Sequence, residues 1–136
     1  MAGSVAYQAG RARSGGPWPA DEAREWIAQA RSSQALARST GQGVRVEDLC
    51  GLATQAVERA VRAVLIVEGI PVPEEESVRA MLAALDLHGI PVPERIARAA
   101  DACAEDGGPI HVGKYYEAVM IAGEAIRFAE SRVGRR

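Results

Sequence analysis

The stretch Val46-Glu-Asp-Leu-Cys-Gly-Leu-Ala-Thr-Gln-Ala-Val-Glu-Arg-Ala-Val-Arg-Ala-Val-Leu-Ile-Val-Glu68 decides the fold. Apolar residues recur at Leu49, Ala53, Ala56-Val57, Ala60-Val61, Val64 and Val67, with Leu52 and Leu65 beside them. That is the i, i+3, i+4, i+7 spacing of a helix with one face in a core. From Ala63 to Val67 the segment is apolar all round, so this end is expected to be covered on more than one side. Gly69 follows, where a left-handed residue ends a helix without the steric cost of a Cβ.

Working outward, Gly69-Ile-Pro-Val-Pro-Glu74 recurs letter for letter at Gly89-Ile-Pro-Val-Pro-Glu94. Each copy has a Gly to end a helix, an Ile to fold back on its last turn, prolines that forbid continuation and a Glu for the next first turn. Two copies are too few for a solenoid. They predict two similar corners around a short helix, roughly Glu75 to Leu87, burying Val78, Met81, Leu82 and Leu85. Upstream, a helix is expected from about Asp21 to Ser39 with a narrow stripe of Ala23, Trp26, Ile27, Ala30 and Ala37. Gly41 and Gly43 end it. Downstream, one helix is expected from about Pro93 to Glu105, with Ile96, Ala97, Ala100 and Cys103 inward. After the turn Asp106-Gly-Gly-Pro109, a last helix from about Gly113 to Val133 turns Tyr116, Val119, Met120, Gly123, Ile126 and Ala129 to the core. No alternating run suggests a strand. Residues 1–20 show no apolar period and read as a disordered leader before a bundle over 21–133, with 134–136 as a frayed tail.

A chain of 136 residues suits one domain. Aromatics are 4% of it, so the core must be aliphatic and alanine-rich, which suits closely packed helices. A formal net charge of −2 gives no global attraction for nucleic acid, leaving only local patches to consider. Cys50 and Cys103 are too few for a disulfide framework and neither stands at zinc-ligand spacing, so both are expected as buried thiols, with no metal and no cofactor. No apolar run reaches membrane-spanning length and no signal peptide is visible, which points to a cytoplasmic protein.

Few residues invite chemistry. His88 precedes Gly89, where an imidazole can bond the last helical carbonyls. His111 lies ahead of the last helix beside Lys114, Tyr115 and Tyr116. Gln55, Glu58, Arg59 and Arg62 form a polar face on the helix from Val46. There Glu58 and Arg62 stand at i, i+4 and the two arginines are suited to a phosphate-bearing ligand or an interface. Tyr115 and Tyr116 must point about 100° apart, one inward and the other, Tyr115, toward solvent. No phosphate loop and no serine–histidine–acid constellation is present.

The run Cys50 to Ala63 resembles the signature of the HEPN family. Gln55-Ala56 is similar to its Gln-Ala pair, Glu58-Arg59 to its Glu-Lys step and Arg62 to its second basic position. The flanks Asp21 to Arg31, Leu65 to Pro73 and Leu85 to Pro93 and the tyrosine-containing last helix resemble the family in order, over about residues 21 to 133. The resemblance implies an all-α, up-and-down helical bundle of four long helices plus one short helix, typically a homodimer. It also implies a metal-independent ribonuclease, a partner of a minimal nucleotidyltransferase in a toxin–antitoxin type system, or a nucleotide- or RNA-binding module, with no membrane.

Ribonuclease members carry an Arg separated from a His by four to six residues. Ahead of His111 those positions hold Ala104, Glu105 and Asp106, and ahead of His88 they hold Met81, Leu82 and Ala83, with Ala84 next in line. The aromatic-His pair often found before the Gln-Ala step is replaced by Gly51-Leu52. Without that Arg and His, no group is evident to activate a 2′-hydroxyl or neutralise charge on phosphate. The expectation is a binding module acting through Gln55, Glu58, Arg59 and Arg62, with Tyr115 or Tyr116 as candidates for modification. The alternatives are an atypical ribonuclease using His111 and a structural scaffold.

Overall fold

The computed structural model describes residues 18–39, 43–99 and 112–134. They form five helices: α1 (Trp18–Ala37), α2 (Val46–Val67), α3 (Val78–Leu87), α4 (Glu94–Ala97) and α5 (Val112–Val133). No strand occurs among the described residues. Three helices are long. Of the helix expected over Pro93 to Glu105, the described part holds the single turn α4. Its continuation, with Cys103, lies outside the described residues, as do residues 1–17 of the expected leader and His111. Residues 18–20, expected as the end of that leader, are instead the first residues of α1.

Side-chain meetings fix the helix directions. Trp26 of α1 faces Arg62 of α2, and Ser33 faces Gln55 and Arg59, so α1 and α2 run antiparallel. The Tyr115 hydroxyl donates to the Ala37 carbonyl at 2.8 Å, and Arg31 pairs with Glu130, so α1 and α5 also run antiparallel. Glu68 and Arg132 meet at the far ends of α2 and α5, which therefore run parallel. The chain between them crosses back through α3 and α4.

Helix α2 is central and packs on α1, α3 and α5. Leu49, Ala53, Ala56, Val57, Ala60, Val61 and Val64 are buried, as its period predicts. Ala63, Val64 and Leu65 are all fully buried, so this end is covered on more than one side. Cys50 is buried as well.

The two repeated corners have one geometry. Gly69 and Gly89 take φ values of 75° and 74°. Ile70 donates its amide to the Leu65 carbonyl at 2.9 Å, and Ile90 donates to Leu85 at 3.0 Å. This six-to-one bond closes the last turn of α2 and α3 alike and satisfies carbonyls that the helix leaves unpaired. The His88 ring nitrogen Nδ1 lies 2.9 Å from the Ala84 carbonyl, as expected of an imidazole at a helix end.

Three expectations need correction. Helix α3 starts at Val78, not near Glu75, because the Ser77 hydroxyl accepts from the Ala80 amide and caps it there. Glu76 stays outside, drawn to Arg62. Ala97 is exposed, because α4 ends after one turn, capped at Arg98. The buried face of α5 is Tyr115, Ala118, Ile121, Ala122, Ala125, Ile126, Ala129 and Val133, while Tyr116 and Met120 are 62% and 56% exposed. The helix is apolar on much of its circumference, so two stripes one residue apart compete. The alanine stripe wins because small side chains let α5 approach the aliphatic and alanine surface of α2 closely.

Candidate functional site

The polar face of α2 lies against α1. Ser33, 2% exposed, donates from its hydroxyl to Gln55 Oε1 at 3.0 Å. Arg59 Nη1 donates to the same hydroxyl oxygen at 3.0 Å. A turn further on, the Arg62 guanidinium carbon sits 4.6 Å from the centre of the Trp26 ring, in range of a cation–π attraction. Its Nη2 reaches Glu76 Oε1 at 2.8 Å. Arg62 is 15% exposed and Glu76 58%, so the pair runs from the bundle to its surface. Arg62 Nε is buried beside the ring without a hydrogen-bond partner.

This arrangement follows from local sequence. Gln55, Arg59 and Arg62 are spaced at four and three residues and share one stripe of α2. Trp26 and Ser33 are seven residues apart and share one stripe of α1. Two antiparallel helices bring the stripes together in register, and small residues on either side let the polar groups meet. The close ion pair of Arg62 is to Glu76 rather than to its i, i+4 neighbour Glu58.

Glu58 occupies the outer edge of the seam. Burial holds its carboxyl above the ordinary glutamate range; the charges of Arg62 and Arg59 oppose that rise and the charge of Glu76 adds to it. Beside it opens a cleft of about 330 Å³ lined by Thr54, Glu58, Glu75, Ser77, Val78 and Arg79. Two carboxylates on that wall disfavour a phosphate there.

The raised Glu58 carboxyl sets a pH dependence. The folded chain holds this proton more tightly than the unfolded one. Its stabilising contribution is therefore complete below the ordinary glutamate range and is lost as pH rises through the higher folded value. Glu58→Gln is expected to melt above the wild type at neutral pH, with the gap closing in acid. A lower melting temperature for the variant at neutral pH would contradict this.

Of the two tyrosines, Tyr115 is buried and its hydroxyl is committed to the Ala37 carbonyl. Tyr116 is the exposed one, the reverse of the sequence expectation, and the accessible candidate for modification. No group of three or more histidine, cysteine or acidic side chains suited to a metal occurs among the described residues. Nor is any described helix long and apolar enough to cross a membrane.

The order of the helices and the Gln55-Ala56, Glu58-Arg59, Arg62 stripe at the bundle's centre agree with one further finding. A family model described as HEPN domain matches residues 23–131. The chain belongs to the HEPN domain family. No curated protein and no solved structure matches it. The HEPN match spans the three long helices and both corners. Within this domain Gln55, Arg59 and Arg62 are among the residues that tie α1 to α2. Sequence reasoning found the α2 half of the seam and missed Ser33 and Glu76. A serine in the α1 stripe between Ala30 and Ala37 is the signal that could have shown the first.

Proposed function

We propose that this HEPN domain is a non-catalytic, homodimeric module that binds nucleotide or RNA and works beside a minimal nucleotidyltransferase in a toxin–antitoxin type system. The observation that carries the binding half is the family match over residues 23–131, because HEPN domains are nucleotide- and RNA-associated helical modules. The absence of catalysis rests on the sequence, where neither His88 nor His111 is preceded by arginine at the family's spacing. The seam gives the module a rigid scaffold: its donors and acceptors join α1 to α2, and Glu58 and Glu76 form its outer edge.

The test is mass in solution and thermal shift with and without AMP, ATP and a short RNA, following RNA integrity in the same samples. The expected result is a stable dimer, a higher melting temperature with nucleotide or RNA, and intact RNA. A monomer with no shift would overturn the binding reading. Cleavage that survives repurification and disappears in His111→Ala would place the protein among the ribonucleases instead.

A further inference from the structure

A second open cleft lies between α4 and the first turns of α5. It has a volume of about 390 Å³ and is lined by Arg95, Arg98, Gly113, Tyr116, Glu117 and Met120. That volume falls at the lower end of small-molecule sites. The cleft is separate from the seam. Tyr115, the neighbour of Tyr116, bonds Ala37 near the end of α1, whereas Arg62 stacks on Trp26 eleven residues earlier, about 16 Å along the helix.

Its walls combine three chemistries. Tyr116 and Met120, one turn apart on α5, offer an exposed aromatic face and a polarisable thioether. Arg98, at the C-cap of α4, is exposed and makes no ion pair among the described residues. Arg95 is held by Glu124 at 2.8 Å, which fixes that wall while keeping a second guanidinium beside the cleft. Glu117 adds an acceptor. Gly113 leaves room: a Cβ there would meet nothing within 4 Å. The acidic cleft beside Glu58 has no such aromatic face.

We infer that this cleft is a pocket for a nucleoside 5′-phosphate, with the base stacked on Tyr116 and Met120, the phosphate on Arg98, and an amino or hydroxyl group of the ligand donating to Glu117. Base–aromatic stacking and a guanidinium on phosphate are the two contacts that single nucleotides and single-stranded RNA share. The first turn of the 22-residue helix α5 places its positive dipole end on the same side as the arginines. The inference rests on the nucleotide-binding reading above and adds the place. The ligand is either a free mononucleotide or the phosphorylated end of an RNA strand.

The test measures binding of AMP and of a short 5′-phosphorylated oligoadenylate to the full chain by titration calorimetry. Arg98→Ala removes the phosphate contact. Gly113→Leu fills the cleft from a position with open space. Both should weaken binding by about tenfold or more, the loss of one such contact. Arg127→Ala, an equal charge change on the exposed surface of α5, should leave it unchanged. Thermal melts of all three establish that they fold. Binding of AMP alone identifies a free nucleotide and binding of the oligonucleotide identifies an RNA end; either supports the pocket when it is weakened in Arg98→Ala and Gly113→Leu. Wild-type binding that persists undiminished in Arg98→Ala and Gly113→Leu overturns the pocket and leaves the nucleotide-binding reading standing. Failure of the wild type to bind either ligand at millimolar concentration overturns both.

Discussion

Truncation of Leu65 to alanine is expected to destabilise the protein by about 3 kcal/mol and to lower Tm by on the order of 10 °C. Leu65 is fully buried where α2 is covered on more than one side. Removing most of its side chain loses the transfer energy of the deleted carbons and leaves a cavity. The cavity collapses poorly because its rim is fixed. The Leu65 carbonyl accepts from Ile70, and Gly69 holds a left-handed turn between them. Leu52, on the same helix but half-buried, should cost less than half as much when truncated. Urea unfolding checks both. A loss below about 1 kcal/mol for Leu65→Ala would mean that the end of α2 is not packed as described.

How much of this was legible depends on what each residue's neighbours in sequence could reveal. Helix α2 was readable because its stripe is long and the change to all-round apolarity near Val64 has one physical meaning. The corners were readable because Gly, Ile and Pro each act on the backbone within a few residues, and the same letters appear twice. Helix α5 kept its length and the inward Ile126 and Ala129, but Tyr116 and Met120 turn outward instead of into the core. Tyr115 and Tyr116 are equal as letters. What separates them is the Ala37 carbonyl, 78 residues away, which accepts the Tyr115 hydroxyl. The start of α3 was misplaced for a related reason. Glu75 and Glu76 suit a first helical turn, but Ser77 caps α3 and Arg62 claims Glu76.

The seam was half legible. Gln55, Glu58, Arg59 and Arg62 stood out on α2 because polar residues at helical spacing are conspicuous beside alanine and valine. Their partners were hidden. Ser33 is a small residue of ordinary type, and Trp26 read as core because nothing local said that an arginine would lie on its face. Register between two helices is a tertiary property, so the pairing across α1 and α2 could not be drawn from either alone. The same holds for Arg98 and Tyr116, which share a cleft only because α4 packs against the start of α5.

Arg62→Ala is expected to cost about 2 kcal/mol, the next largest loss. Three contributions go with the side chain. The stack on Trp26, largely removed from water, contributes on the order of 1 kcal/mol. The aliphatic stem packs in the α1–α2 interface and contributes a comparable amount. The ion pair adds less, because Glu76 is well exposed and water screens it. Part of this is offset, since Arg62 Nε is buried without a hydrogen-bond partner and its removal relieves that cost. Arg62→Met separates the contributions: it keeps the stem and a polarisable contact with the ring but carries no charge, so it should recover about half the loss. Arg62→Lys should recover less than its charge suggests, because an ammonium cannot lie flat on Trp26 while reaching Glu76. A double-mutant cycle with Trp26→Leu then isolates the stack, with an expected coupling of about 1 kcal/mol. Coupling within error of zero, with Arg62→Ala as stable as the wild type, would mean that Arg62 is not part of the scaffold and that its guanidinium is free to meet a ligand.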